Sequence, residues 1–257
     1  MSIDKESRFA IKRQMNYLWF DKEWSDMPGR PREFDRDEAL AKARDAFWAR
    51  GYEGVSMADL VQTLGLASAR IYAAFGSKEA LFREAVELYD AGEGGFATRA
   101  LAEEPTARVA IERILREAIE TYTRKDRPHG CMVVSAATNC ATENEEVREW
   151  LAAFRRRRTA SLVKRLKKAV ADGELPTDTD AEALGDYFAT VLHGLSVQAR
   201  DDAPKDRLMA TIPAAMCALP LRPETARRRS ARTASRASRL SRGVRSKPSK
   251  AKSGTGQ

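Results

Sequence analysis

Between Ser56 and Lys78 the apolar positions fall twice, in quick succession, at helical spacing. Met57, Leu60, Val61 and Leu64 give the first segment one apolar face. Ser56 precedes it as an N-cap, and Asp59 three residues on completes a capping-box pattern, S-x-x-D. Gly65 stands where a tight turn needs a residue tolerant of positive φ. In the second segment Ala67, Ile71, Ala74 and Phe75 share one side, which is predicted to pack on the first helix. Ala69, Tyr72 and Ala73 then face outward, with Ser68 and Arg70 on the flanks, and Gly76 ends the segment. The spacing alone fits both a DNA-reading helix-turn-helix and an ordinary buried helical hairpin.

The same period continues on either side. From Asp35, Leu40, Ala43, Ala46 and Phe47 form one face of a helix that Gly51 ends. Ser77 caps a connector helix through Leu81, Phe82, Val86 and Tyr89. Gly92, Gly94 and Gly95 follow a helix rather than a strand, so they read as a helix end and not a phosphate loop. Pro105 opens a helix with Val109, Ile114, Leu115, Ala118, Ile119 and Tyr122 at core spacing. Pro128 and Gly130 punctuate before an apolar helix from Cys131 to about Cys140. A long helix from about Glu143 to Ala171 carries Val147, Trp150, Leu151, Phe154, Leu162, Leu166 and Val170, with its run Arg155 to Arg158 read as a solvated face.

After a loop, helices are predicted over about Asp180–Arg200 and about Lys205–Leu219, the last interrupted by Pro213, which should kink or restart it. Nothing alternates as a strand would. The fold class is all-α: a three-helix helix-turn-helix headpiece, residues 29–76, then a connector with a larger helical regulatory and dimerisation bundle, 77–219.

Charge changes the picture at the two ends. Twelve Lys and Arg against Glu224 alone give Leu221–Gln257 a charge of +11, so the chain's total of +8 leaves residues 1–220 at −3. The stretch 220–257 is Ser/Arg/Lys-rich, with too little apolar surface to offset the entropy of ordering, and reads as a disordered basic tail. Residues 1–28 form an N-terminal extension of two readings: an added arm, or sequence upstream of a translation start at Met27. Cys131, Cys140 and Cys217 are odd in number and unevenly spaced, which makes no disulfide framework. No apolar run approaches membrane-spanning length and no secretory signal is visible, so a cytoplasmic, nucleoid-associated protein without membrane contact is expected.

Read together, GRPREFDRDEALAKARDAFWARGYEGVSMADL and LGLASARIYAAFGSKEALF resemble the DNA-binding domain of TetR-type (tetracycline-repressor-like) transcriptional regulators. The likeness is specific over residues 29–90 and continues more loosely to about Leu219. It implies a homodimer on a near-palindromic double-stranded operator, with Ser68–Phe75 as recognition helix. Tyr72 and Lys78 would touch the phosphate backbone, Arg30 and Arg32 the flanking minor groove, and Ser56 a phosphate at a helix N-terminus. Ser68 and Ala69 would lie at the DNA surface. Arg70, where a small polar residue is usual, is the candidate for guanine readout; a phosphate contact or a surface ion pair fits it equally.

The resemblance also implies an unknown small-molecule effector in the body and repression of neighbouring genes. Cys131, Met132, Ser135, Asn139, His193 and Gln198 are the polar or polarizable groups available to orient a ligand, although cysteine and methionine often only pack. No cofactor or metal is implied, since His129 and Cys131 lack a third ligand at recognisable spacing. Two rivals remain: a non-specific polyanion binder driven by the tail, and a Cys/His-dependent enzyme or redox sensor, which no oxyanion-type loop supports.

Overall fold

The computed structural model describes residues 34–136 and 140–220. Arg30, Arg32, Asn139, the extension before the basic arm and the tail from 221 lie outside the described residues. Two compact units divide the chain at Ala39 and Leu40. Of the first, the described part opens a helix: Asp35 Oδ1 accepts from the amides of Asp37 (2.9 Å) and Glu38 (3.1 Å).

The described residues form an all-helical chain. The headpiece holds α1 (Arg36–Arg50), α2 (Met57–Leu64) and α3 (Ser68–Phe75), and α4 (Lys78–Ala91) is the connector. The body holds α5 (Phe96–Glu103), α6 (Ala107–Tyr122), the single turn α7 (Met132–Ser135), the long α8 (Glu145–Ala171) and α9 (Ala181–Arg200). Two short pieces, α10 (Lys205–Met209) and α11 (Ile212–Met216), close it.

Helices as short as α2 and α3 do not stand alone in water. They are held by burying Leu60 and Leu64 of α2 and Ile71 and Phe75 of α3, while an aromatic cluster joins α1 to α4. Phe47 of α1 meets Phe82 of α4 edge-on at 5.1 Å, Tyr52 meets Phe82 at 5.0 Å, and Trp48 meets Tyr89 at 4.8 Å. Phe47, Trp48, Phe82 and Tyr89 are fully buried, each such side chain contributing about 1.5–3 kcal/mol. In the body α8 and α9 pack along each other, with Gly185 against Val163: a Cβ at 185 would come within 2.4 Å of Val163 Cγ2.

The last helix restarts at Pro213 as expected: it is two pieces, with Pro213 in the first turn of α11, where its missing N–H costs nothing. Both pieces turn back onto α6, burying Leu208, Ile212, Ala215, Met216 and Leu219, and Arg108 donates to the carbonyl of Leu219 at 2.6 Å. Other expectations need correction: of the helix expected from Cys131 to Cys140, the described residues hold a single turn, Met132–Ser135. Val109 is exposed, off the buried stripe of Ala107, Ala110, Ile111 and Ile114, and α6 begins at Ala107, capped by Thr106 and not by Pro105. Ala67 is an exposed N-cap, and Leu66 takes the core place assigned to it. The run Arg155–Arg158 is only half solvated: Arg156 and Arg157 are exposed, whereas Arg155 and Arg158 turn inward.

Candidate nucleic-acid interface

The capping box at the start of α2 is complete. Asp59 N donates to Ser56 Oγ at 3.1 Å, and Ser56 N donates to Asp59 Oδ2 at 2.7 Å. Those Ser56 hydrogen bonds, with Arg50 beside them, hold the Asp59 carboxyl well below the usual carboxylate range. Arg50 Nη1 reaches Asp59 Oδ1 at 2.8 Å and so ties the end of α1 to the start of α2. Ser56 is exposed, but its hydroxyl and its amide already serve the Asp59 carboxylate. A phosphate arriving at this helix start would meet that carboxylate, so the structure favours a capping role for Ser56.

Gly65 closes α2 at φ 66°, a left-handed conformation that lets the chain reverse into α3 at no steric cost. In α3, Ile71 and Phe75 are buried against the headpiece, whereas Ser68, Ala69, Arg70, Tyr72 and Ala73 are exposed. Tyr72 is 47% exposed, one of few large apolar side chains so placed among the described residues. The small residues around it leave α3 slender enough for a major groove. Ala67 offers no side-chain cap, so the first amides of α3 are unshielded by any N-cap oxygen.

Lys78 opens α4 behind this face. Its Nζ lies 4.2 Å from the centre of the Tyr52 ring, and partial burial pushes its pKa down. The chain thus brings Ser68, Ala69, Arg70 and Tyr72 onto one exposed surface, with Lys78 seated on Tyr52 at the head of the connector.

Residues 39–85 match the family described as bacterial regulatory proteins, tetR family, and residues 105–214 match the tetracyclin repressor-like C-terminal domain. The HTH-type transcriptional repressor ComR of Escherichia coli (strain K12) is 32% identical over 182 residues, covering 70% of this chain and 87% of that protein. The chain belongs to the TetR family. The repressor BdcR of the same organism is 26% identical over 190 residues, covering 74% of this chain and 91% of its own. Among solved structures, a cysteine-substituted TetR family regulator CifR complexed with 26-bp double-strand operator DNA is 45% identical. It matches with a TM-score of 0.71 over 75% of this chain and all of its own. As a TetR-family member the chain is a DNA-binding transcriptional regulator.

The ligand candidates divide. A cavity of about 50 Å³ lies between α6, α8 and α9, lined by Tyr122, Cys131, Leu162 and His193 among others. Met132 is buried but does not line it, Ser135 stands half-buried elsewhere, and Gln198 is exposed. His129 turns to the surface, its Nδ1 2.9 Å from Asp202 Oδ1, so it does not share a site with the buried Cys131. Among the described residues no three His, Cys, Asp or Glu side chains are placed to hold a metal ion.

What sequence reading missed is basic. Arg155 and Arg158 line the cavity. Arg200, at the end of α9, donates to the carbonyls of Trp48 (3.2 Å) and Ala49 in the last turn of α1. A signal existed for Arg158: it falls seven residues after Leu151 and four before Leu162, on the apolar stripe of α8.

Proposed function

We propose that this regulator is a homodimeric repressor whose two α3 helices read a near-palindromic operator, and that a small molecule in the body releases it. The observation that carries the reading is the split of α3, with Ile71 and Phe75 buried and Ser68, Ala69, Arg70 and Tyr72 presented. Eight residues make a rod of about 12 Å, enough for a few base pairs and too little for specificity without a second copy. Tyr72 supplies a phosphate contact through its hydroxyl and Arg70 a guanine contact through N7 and O6. Lys78 adds positive potential behind them. CifR, solved with its operator DNA, and ComR, named a repressor, support the operator-binding and repressor parts of the reading.

The second copy has a surface to use. Along α9, Ala183, Tyr187, Thr190, Gly194 and Val197 are exposed at spacings of three and four, a stripe of small and apolar residues. We assign the dimer contact to this stripe together with α8, not to the pieces α10 and α11. The regulator would act in the cytoplasm with the chromosome, without catalysis. DNase footprinting on the intergenic DNA upstream of its own gene tests the reading. Two protected half-sites related by a twofold axis are expected; unordered coating would contradict it.

A further inference from the structure

The charged groups around the body cavity do not balance. Arg155 and Arg158 stand one turn apart on α8 and both line it. Arg158 donates Nε to Asp90 Oδ1 at 3.2 Å and Nη2 to the same carboxylate and to the carbonyl of Gly94 at 3.2 Å. Asp90 lies in the last turn of α4 and Gly94 in the 3-10 turn that follows, so this one guanidinium pins the end of the connector to the body. Arg155 donates Nη1 only to the carbonyl of Val133, at 3.1 Å, and has no carboxylate within ion-pair distance among the described residues. Burial lowers its pKa, the mark of a cation short of counter-charge.

Other donors gather here. The Tyr89 hydroxyl, deeply buried on α4 beside the Cys131 thiol, Tyr122 and Arg158, has no oxygen or nitrogen partner at hydrogen-bond distance among the described residues. His193 is half-buried, its pKa pushed down by burial and then by Arg155 and Arg158, so its neutral ring still offers an N–H. The acids nearest the outer end stand off. Glu182 is held by Lys167 at 2.7 Å, and Asp186 precedes His193 by two turns of α9, about 10 Å. Past Arg155, Thr159 and His193 the cavity is continued by a groove of about 790 Å³ between α8 and α9.

We propose that the effector is a small organic monoanion, a carboxylate with an apolar tail, whose headgroup binds Arg155 and competes with Asp90 for Arg158. This rests on reading the body as the effector-binding part. The enclosed cavity takes the charged head, and its wall of Val133, Leu162 and Leu192 takes apolar atoms. Binding then trades the Arg158–Asp90 pair for an Arg158–ligand pair, which unpins α4 and through it the headpiece. Charge-assisted, two-pronged arginine contacts favour a planar carboxylate over a neutral amide of the same shape.

The test is calorimetric titration of the full chain with acetate, butanoate, hexanoate, octanoate and benzoate, each beside its primary amide. At least one acid is expected to bind about tenfold or more tightly than its amide, and Arg155→Gln to lose about that factor. Arg157→Gln removes the same charge from the exposed face of α8 and is expected to bind like wild type. Asp90→Asn, which removes the competitor, is expected to bind the acid more tightly and hold upstream DNA more weakly without any acid. Amides binding as well as acids, no acid binding at all, or Arg155→Gln behaving as wild type would each overturn the proposal. Upstream DNA titrated without any acid separates the two claims: bound DNA with no acid preference sinks only the effector class, whereas unbound DNA sinks the parent reading.

Discussion

Trp48 Nε1 donates a hydrogen bond of 3.0 Å to the carbonyl of Gly130, 82 residues further along the chain. The bond joins the end of α1 to the segment that leads into the cavity. Immediately after it, Cys131 N donates to the buried Ser196 Oγ of α9 at 2.8 Å. With Arg200 on the last carbonyls of α1, α9 holds the first headpiece helix from two directions. A displacement of α9 or of residues 130–131 therefore acts on α1 directly, beside the route through α4.

Trp48→Phe puts a smaller phenyl ring in place of the indole and removes the donor, leaving the Gly130 carbonyl unpaired in a buried site. The expected loss is about 1–3 kcal/mol of folding stability, read from urea unfolding. An unchanged midpoint would mean that water or relaxation satisfies that carbonyl.

Ser56→Ala removes the oxygen that accepts from Asp59 N. Caps of this kind stabilise by about 0.5–2 kcal/mol, and the loss should concentrate in α2. Hydrogen exchange would show faster exchange of the α2 amides with α6 unchanged. Uniform acceleration would place the effect elsewhere.

His193 titrates with a defined sign. Its folded pKa lies below the ordinary histidine value, so its neutral form favours the folded state. That contribution is full above about 6.5, the unfolded value, and is lost as pH falls toward the folded pKa. Wild type should lose stability over this window relative to His193→Gln. With only two histidines in the chain, the difference between the two melting curves isolates the effect. Parallel curves would show that His193 does not charge in this range.

Val197 lies half exposed at the end of the outward stripe of α9. Val197→Glu puts like charges opposite each other across a twofold contact on that stripe. Sedimentation equilibrium should show a monomer where wild type is a dimer. A variant that stays dimeric would move the interface off this part of α9.

The headpiece was legible because its signals are local. The S-x-x-D box, Gly65 and the Ile71–Phe75 spacing act within one or two turns, and the structure holds each of them. The body was legible only as helices. Arg155 and Arg158 differ from Arg156 and Arg157 only in falling on the apolar stripe of α8, and α4 and α9 packing over that side of α8 is what turns them inward. The break between α10 and α11 was legible at Pro213, but their return onto α6 depends on partners a hundred residues earlier. Ser56 carries two roles at one atom: its cap is plain in the sequence, and the same hydroxyl is the one that a phosphate contact would share.

The tail from Leu221 adds +11 but no pattern that could read bases. Deleting residues 221–257 should flatten the slope of log K against log salt by about 0.9 for each phosphate that the tail neutralises, and leave specificity in place. An unchanged slope would show that the tail does not engage DNA.

The most direct measurement is a binding titration on the upstream intergenic DNA with excess competitor DNA. Wild type, Tyr72→Ala and the 221–257 deletion are compared side by side. Operator reading by α3 predicts that wild type and the deletion bind that DNA specifically while Tyr72→Ala loses it. Binding that follows the tail and ignores sequence, with Tyr72→Ala unaffected, would contradict it.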